Sequence, residues 1–479
     1  MTITSTGIGS GLDVEAIVSQ LMAVERQPLT LLQGQESSIN TQLSAFGKLQ
    51  SLTSTLRDAA SSLTSLTLWK KTTATSSDTN AVTVSAADGA AAGSYAVSVQ
   101  ALATGQTAVS GAFASSTSTL SAGTLTITLG RYGGEPSPTG FTPKDGATPV
   151  SIAIGDGETS LESIRDKINA AQAGVTASIV TDAGGARIAL RSAATGAENA
   201  FRVDVAETVD DGSASSGLSA LAFDAAAASP MTRTQTAGNA EATINGIAVS
   251  SAGNTLDGVV DGLTLNLLRT TAGSVDVSVA ADTGAVRNSI TNFVSAFNAV
   301  ASYIQTQTKY DAGTKTAGTL QGDRSTLSVQ SQLRAVLNAP SGASSVYTQL
   351  SDIGITMQRD GTLAVDSGHL DNAIANLPEL RKVLANDGGD SASSGFIDRF
   401  KDLATALLDT GGTFDSRTQG LQSRIDSLDR QQSAMETRLA NTETRLRKQY
   451  QALDTQMSTL SGLSAYLTNQ LAGLAATGN

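Results

Sequence analysis

The sequence predicts an α+β multidomain protein. Its N- and C-terminal helices form a coiled-coil or helical-bundle base, and a β-rich head of one or two subdomains is inserted between them. Three observations carry this. Apolar residues recur at three- and four-residue spacing in both flanks and at two-residue spacing in the middle, so helices bracket strands. The 479 residues exceed the roughly 250–300 at which a single core stops growing, so the chain divides into two to four domains. Aromatic residues make up only 4% while glycine numbers 46, which disfavours one large aromatic core. Sheets of Thr, Val and Ala and helices of Ala, Gln and Leu are favoured instead.

The first element is "GIGSGLDVEAIVSQLMAVERQPL", residues 7–29. It occupies the place of a secretory signal but lacks a basic start, since the first basic residue is Arg26, and Asp13 and Glu15 interrupt its apolar run. Val14, Ile17, Val18, Leu21 and Val24 share a helical face behind a Ser10-x-x-Asp13 capping signal, and Pro28 stops or kinks that helix. A second helix carries Ile39, Leu43, Phe46, Leu49, Leu52, Leu56, Leu63 and Leu66. The far end mirrors this pattern. Leu421, Ile425, Leu428, Met435, Leu439, Leu446, Leu453 and Leu460 keep a seven-residue frame, with Gln432, Thr442, Gln449 and Gln456 at the remaining core positions. The polar members weaken that seam, so it is suited to conditional pairing. The expected partner of the first helix is therefore this distant segment or another molecule, with the ends unpaired until assembly. Leu463, Leu467, Leu471 and Leu474 add a last apolar stripe. Such stripes are more often core than interface; their presence at both termini, with little other core material nearby, favours an assembly role.

Between the flanks the period is two. "AVTVSAADGAAAGSYAVSVQALA" reads as two strands across a glycine-rich turn, and "GTLTITLG" as another, followed by a loop with Pro136, Pro138 and Pro143. Residues 149–192 read strand, helix, strand, strand. That helix is capped at Thr159 or Ser160, buries Leu161, Ile164 and Ile168, and ends before Gly174. Asn245-Gly246 marks a hairpin turn. Helices resume at residue 283, interrupted by a small strand pair around Asp360-Gly361. The expected domains are a terminal helix (1–38), a helical bundle with a small hairpin (39–80 and 283–412), a β-rich head (81–282, its inner part about 108–236), and a C-terminal coiled coil and tail (413–479).

Composition excludes several chemistries. The net charge of −12 argues against a nucleic-acid partner. Residues 95–282 hold nine Lys/Arg and eighteen Asp/Glu, a net of −9, so the acid concentrates in an exposed central module. With no cysteine there is no disulfide and no thiolate metal site. No apolar run is long enough to span a membrane. The single histidine, His369, excludes paired-histidine metal sites and reads as a helix-start or surface residue. The segment "GDGETS" at Gly155 and the Asp210-Asp211 pair read as solvated turns. No catalytic residue, cofactor or metal is assigned, and the chain is not expected to be an enzyme.

Several stretches resemble, in order, the bacterial flagellar filament-capping family, hook-associated protein 2. They are the Ser10-Gly11-Leu12-Asp13-Val14 region, "LQGDRSTLSVQSQLR", "LSDIGITMQRDGTLAVDSGHLDNAI" and the terminal "GLQSRIDSLDRQQSAMETRLANTETRLRKQYQALDTQMSTL". Within the insert, "INAAQAGVTASIVTDAGGARIALRSAATGAEN" resembles the motif named for Ile168-Asn169. The resemblance implies a homo-oligomeric ring at the filament tip that promotes insertion of flagellin and prevents its leakage. It also implies an extracellular location reached without a cleaved signal peptide. The implied partners are further copies of the chain, flagellin, hook–filament junction proteins, an export chaperone and the flagellar type III export apparatus, with no nucleic acid and no membrane insertion. Leg contacts fall on Leu12, Val14, Ile17, Leu21, Leu446, Leu453 and Leu460, and chaperone contacts on Leu463, Leu467, Leu471 and Leu474. An adhesin whose β head binds a host or mucin surface is the alternative, possible as a second role of the same cap.

Overall fold

The computed structural model describes the backbone of residues 13–476 and the side chains of residues 13–472. The chain divides into two units, one made of both flanks (Met1–Trp69 and Thr283–Asn479) and one of the middle (Lys70–Asp282). The second begins ahead of residue 81 because Thr72–Ser76 is already a strand, paired with Val275–Ala281.

The flank unit opens with α1 (Val14–Glu25), α2 (Gln27–Thr64) and the short α3 (Leu66–Lys70). Asp13 caps α1, its Oδ1 accepting from the Ala16 N–H at 2.9 Å, so the cap sits on Asp13; Ser10 lies outside the described residues. Pro28 falls in the first turn of α2, where its missing N–H costs nothing. Only Arg26 separates the two helices. The expected boundary at residue 38 lies mid-helix.

The middle unit holds two apolar cores. In the first, a five-stranded sheet runs in the order Thr72–Ser76, Val275–Ala281, Gly93–Ala101, Ala240–Ile244, Ile247–Ser251, and a three-stranded sheet in the order Thr255–Val260, Leu263–Leu267, Val82–Ala86. Val82 and Val97, both 0% exposed, belong to this core. Their strands do not pair as the hairpin that the glycine-rich turn suggests. Val82–Ala86 pairs with Leu263–Leu267, whereas Gly93–Ala101 lies between two other partners. Asn245 and Gly246, at φ of 50° and 82°, make the tight turn that their sequence predicts, with Ile244 opposite Ile247.

The second core is built from two four-stranded sheets and α4 (Leu161–Ala170). Ser160 caps α4 by accepting from the Ser163 N–H, and Leu161, Ile164 and Ile168 are buried. The proline-bearing loop carries an edge strand, Gly140–Pro143. Asn169 fastens α4 to the following strand: its Nδ2 donates to the Ala177 carbonyl at 2.9 Å and its Oδ1 accepts from the Ala177 N–H at 2.8 Å. Ile168-Asn169 thus combines a core anchor with a side chain that imitates a neighbouring strand. Asn169→Ala leaves both Ala177 groups unpaired and is expected to cost about 1–3 kcal/mol. A thermal melt of the full chain checks this; an unchanged midpoint would contradict it.

The flank unit resumes with α5 (Thr283–Thr308), α6 (Arg324–Asn338), α7 (Ser367–Ile374), α8 (Leu377–Ala385), α9 (Phe396–Leu408) and α10 (Thr413–Ala476). The stretch after His369 is two helices because Pro378 starts the second. A strand pair, Ile355–Met357 with Leu363–Val365, precedes α7. The core gathers Phe46, Phe293, Phe297, Phe400 and Phe414, with Phe46–Phe414 rings 5.3 Å and Phe293–Phe400 rings 5.4 Å apart.

Candidate assembly site

At 64 residues, α10 extends about 95 Å at 1.5 Å per residue. α2 and then α1 run antiparallel along it. Ile39 packs with Leu421, Ile425 and Leu428, with Leu32 and Leu43 at the margin. Further out, Gln432 occupies a seam position, and its Nε2 donates to Glu36 Oε2 at 2.6 Å. Val14, Val18 and Met22 then pack on Leu439, flanked by Leu29, Met435, Leu446 and Tyr450.

The buried face of α1 is therefore Val14, Val18 and Met22, spaced by four. Ile17 is half-buried, Leu21 is 39% exposed and Val24 is 63% exposed, so the expected five-residue face is only partly covered. The first helix does find its partner within the chain, and the expectation that the ends stay unpaired fails for residues 14–25. Along α10 the heptad frame also gives way. A straight helix advances about 3.6 residues per turn, so four turns carry the seam from Met435 towards Tyr450. Gln449 is exposed, as are Leu453 and Leu460 at 42% and 60%. Leu463, Leu467 and Leu471 are each more than half exposed. Leu12 and the Leu474 side chain lie outside the described residues.

A charged clasp borders the small α1 cluster. Arg447 donates from Nη1 to Glu15 Oε2 at 2.5 Å and from Nη2 to Glu15 Oε1 at 2.8 Å, and also bonds Glu443, which lies 3.8 Å from Arg26. Glu443 and Arg447, four apart on one helix face, are legible as a pair. Their link to Glu15, across 432 positions, is not. The hydrogen bonds from Arg447, and then its charge, hold the Glu15 carboxyl below its usual range. A lowered folded pKa stabilises above the unfolded value of about 4.3 and is lost as pH falls through the folded value. Amide protection of residues 14–25, corrected for intrinsic exchange, is thus expected to be flat from about pH 7 to about pH 5 and to fall below about pH 4. Arg447→Ala should lower the plateau and remove that fall; an unchanged profile would count against the clasp.

Chemistry of other kinds finds little support among the described residues. The His369 N–H donates to Asp366, the α7 cap, and its ring lies beside the same carboxylate in solvent. Glu158 closes the Gly155 turn and pairs with Lys167. The Glu207, Asp210 and Asp211 carboxylates converge, yet Glu207 accepts from the Ser219 N–H and Asp211 from Ser213 and Ser216. That acidic group organises its own loop. No helix among the described residues is long and apolar enough to cross a membrane.

The sequence matches the family models for the flagellar hook-associated protein 2 N-terminus at residues 10–106 and C-terminus at residues 237–462. Flagellar hook-associated protein 2 of Escherichia coli K12 is 33% identical over 98% of both chains. The chain belongs to the flagellar hook-associated protein 2 family. The A-type flagellar hook-associated protein 2 of Pseudomonas aeruginosa is 32% identical, also over 98% of both chains. Residues 124–194 match the flagellin hook IN motif, which contains α4 and the Asn169 clamp. The crystal structure of the D1-D2-D3 domains of the Escherichia coli flagellar cap protein FliD aligns with a TM-score of 0.57 at 31% identity, covering 79% of this chain and 99% of that one.

Proposed function

We propose that this chain caps the flagellar filament, forming a ring at the distal tip that helps exported flagellin insert and fold and keeps it from escaping. The observation that carries this is the outer part of α10. Past Tyr450, opposite the start of α1, it continues for more than six turns with Leu453, Leu460, Leu463, Leu467 and Leu471 exposed. A stripe of that length in water is an unfilled interface. In the cap, α1 with the outer α10 forms a leg reaching into the filament, and the middle unit forms the plate. Leu12, Val14, Ile17, Leu21, Leu446, Leu453 and Leu460 are the leg residues. Before export, Leu463, Leu467, Leu471 and Leu474 are held by a chaperone, and the chain passes unfolded through the flagellar type III channel. Four buried side chains and an exposed clasp hold α1, weakly enough for legs to release and re-seat as each flagellin enters.

The test is complementation of a flagellated strain lacking its own cap gene. Wild-type chain is expected to retain flagellin on filaments and place a plate at their tips in electron micrographs. Leu453→Asp with Leu460→Asp should be secreted yet leave flagellin in the medium. Bare tips and undiminished leakage with the wild-type chain would overturn the proposal.

A further inference from the structure

Two cavities of the flank unit carry opposite charge and lie towards opposite ends of α6. The first, about 230 Å³, is a groove between α2 and α10 lined by Gln35, Ser38, Gln42, Arg417, Gly420 and Arg424. At Gly420 there is open space where a side chain would stand, which leaves room for a visitor. Arg417 is held by Asp323 at 2.7 Å, while its Nε is buried without an acceptor. Arg424 forms no hydrogen bond or ion pair among the described residues.

The second cavity, about 370 Å³, is lined by Asp387, Asp390, Ser391, Arg399 and Asp402 beside Val336. Asp387 and Asp390 accept from nearby backbone N–H groups, of Gly389 and of Ala392 and Ser393. Asp402 has no partner among the described residues. Lys401, next to it in sequence, is taken by Asp398 at 2.5 Å. Burial first, and then the Asp398 charge, push the Asp402 carboxyl above its usual range. Arg399, 8% exposed, lines this cavity with an Nε that has no acceptor.

α6 sets the two apart. Asp323, which holds Arg417, is its N-cap, and Val336 lies in its last turn. That length is about 20 Å at 1.5 Å per residue. The helix dipole has its positive end at the basic groove and its negative end at the acidic cavity, so it adds to the same polarity. Complementary patches at two separate places on one unit are what a head-to-tail contact requires, and such contacts close into rings when the rotation allows.

We propose that the basic groove of one copy receives the acidic cavity of the next copy, with Arg424 pairing with Asp402. The inference rests on the ring assembly proposed above and supplies its polarity: each subunit gives one groove and one cavity.

The chain contains no cysteine, so Arg424→Cys combined with Asp402→Cys reports the contact without background. The two residues line separate cavities towards opposite ends of α6, itself about 20 Å long, so they lie beyond disulfide reach within a chain and bridging must be between chains. Oxidised full-length double variant should give a ladder of linked oligomers, and neither single variant should. In a second measurement, Arg424→Glu and Asp402→Lys should each raise the concentration for half-assembly at least about tenfold without changing the thermal midpoint. An equal mixture of the two should assemble at a lower concentration than either variant alone, because wherever the two alternate the contact pairs opposite charges. If the wild type sediments as oligomers but the double-cysteine chain gives no ladder, this contact is wrong and the ring survives. If the wild type neither assembles nor caps, the ring itself fails and this contact with it.

Discussion

Val18→Asp is expected to detach α1 from α10 and abolish capping while the rest of the flank unit stays folded. Val18 is 1% exposed in a cluster with, among the described residues, three other buried members, Val14, Met22 and Leu439. Full burial of such side chains is worth about 1.5–3 kcal/mol each, an upper figure given a partly collapsed unfolded state. Against this stands the cost of ordering twelve residues, about 1–2 kcal/mol each, which helical hydrogen bonds only partly offset. The balance is narrow, and α1 is too short to persist alone. A carboxylate facing Leu439 removes one of three anchors and must either carry its charge into an apolar site or leave it. Hydrogen exchange is the direct check. Amides of residues 14–25 should lose protection by at least about tenfold, while those of α5 and α9, which bury Phe293 and Phe400, should not change. Val24→Asp, at a position 63% exposed, is the control and should shift stability by less than about 0.5 kcal/mol. Retained protection in the Val18 variant would show that something other than this cluster holds α1.

Local chemistry proved readable where the chain folds back on its neighbours. Asn245-Gly246 makes its hairpin, Ser160 caps its helix, and Leu161, Ile164 and Ile168 point inward because each obeys rules spanning a few residues. The seam from Leu421 to Leu439 was readable for the same reason, since an apolar stripe declares itself at helical period. Distance in sequence set the limit. Whether Val82–Ala86 pairs with the next strand or with Leu263–Leu267 depends on sheet order, which alternation does not encode. Nor does the heptad frame reveal that the seam moves onto Tyr450, because that depends on how straight α10 runs. Glu15, Glu36 and Arg447 were invisible as contacts. Each looks like a solvated charge until its partner, some 400 positions away, is placed beside it.

Gln432→Leu is expected to weaken the protein although it makes the seam more apolar, and the pairing with Glu36 is the reason. The bond is 2.6 Å long and half-buried, so removing the amide leaves a carboxylate short of a donor at a cost of about 1–3 kcal/mol. The double variant Glu36→Leu with Gln432→Leu removes both polar groups and joins Leu428 and Leu32 in a continuous apolar seam. Replacing such a pair by packed hydrophobes is often neutral or stabilising. The double variant should therefore melt at or above the wild type, with the single about 2–4 °C below for each kcal/mol lost. Function should move the other way. If the rod must yield as each flagellin enters, tightening it should shorten filaments grown in a fixed time while secretion stays normal. Gln449 and Gln456 are exposed, so leucine there only widens the outer stripe and leaves the in-chain rod as it was. Wild-type filament lengths from a double variant shown to be more stable would break the link between rod strength and elongation.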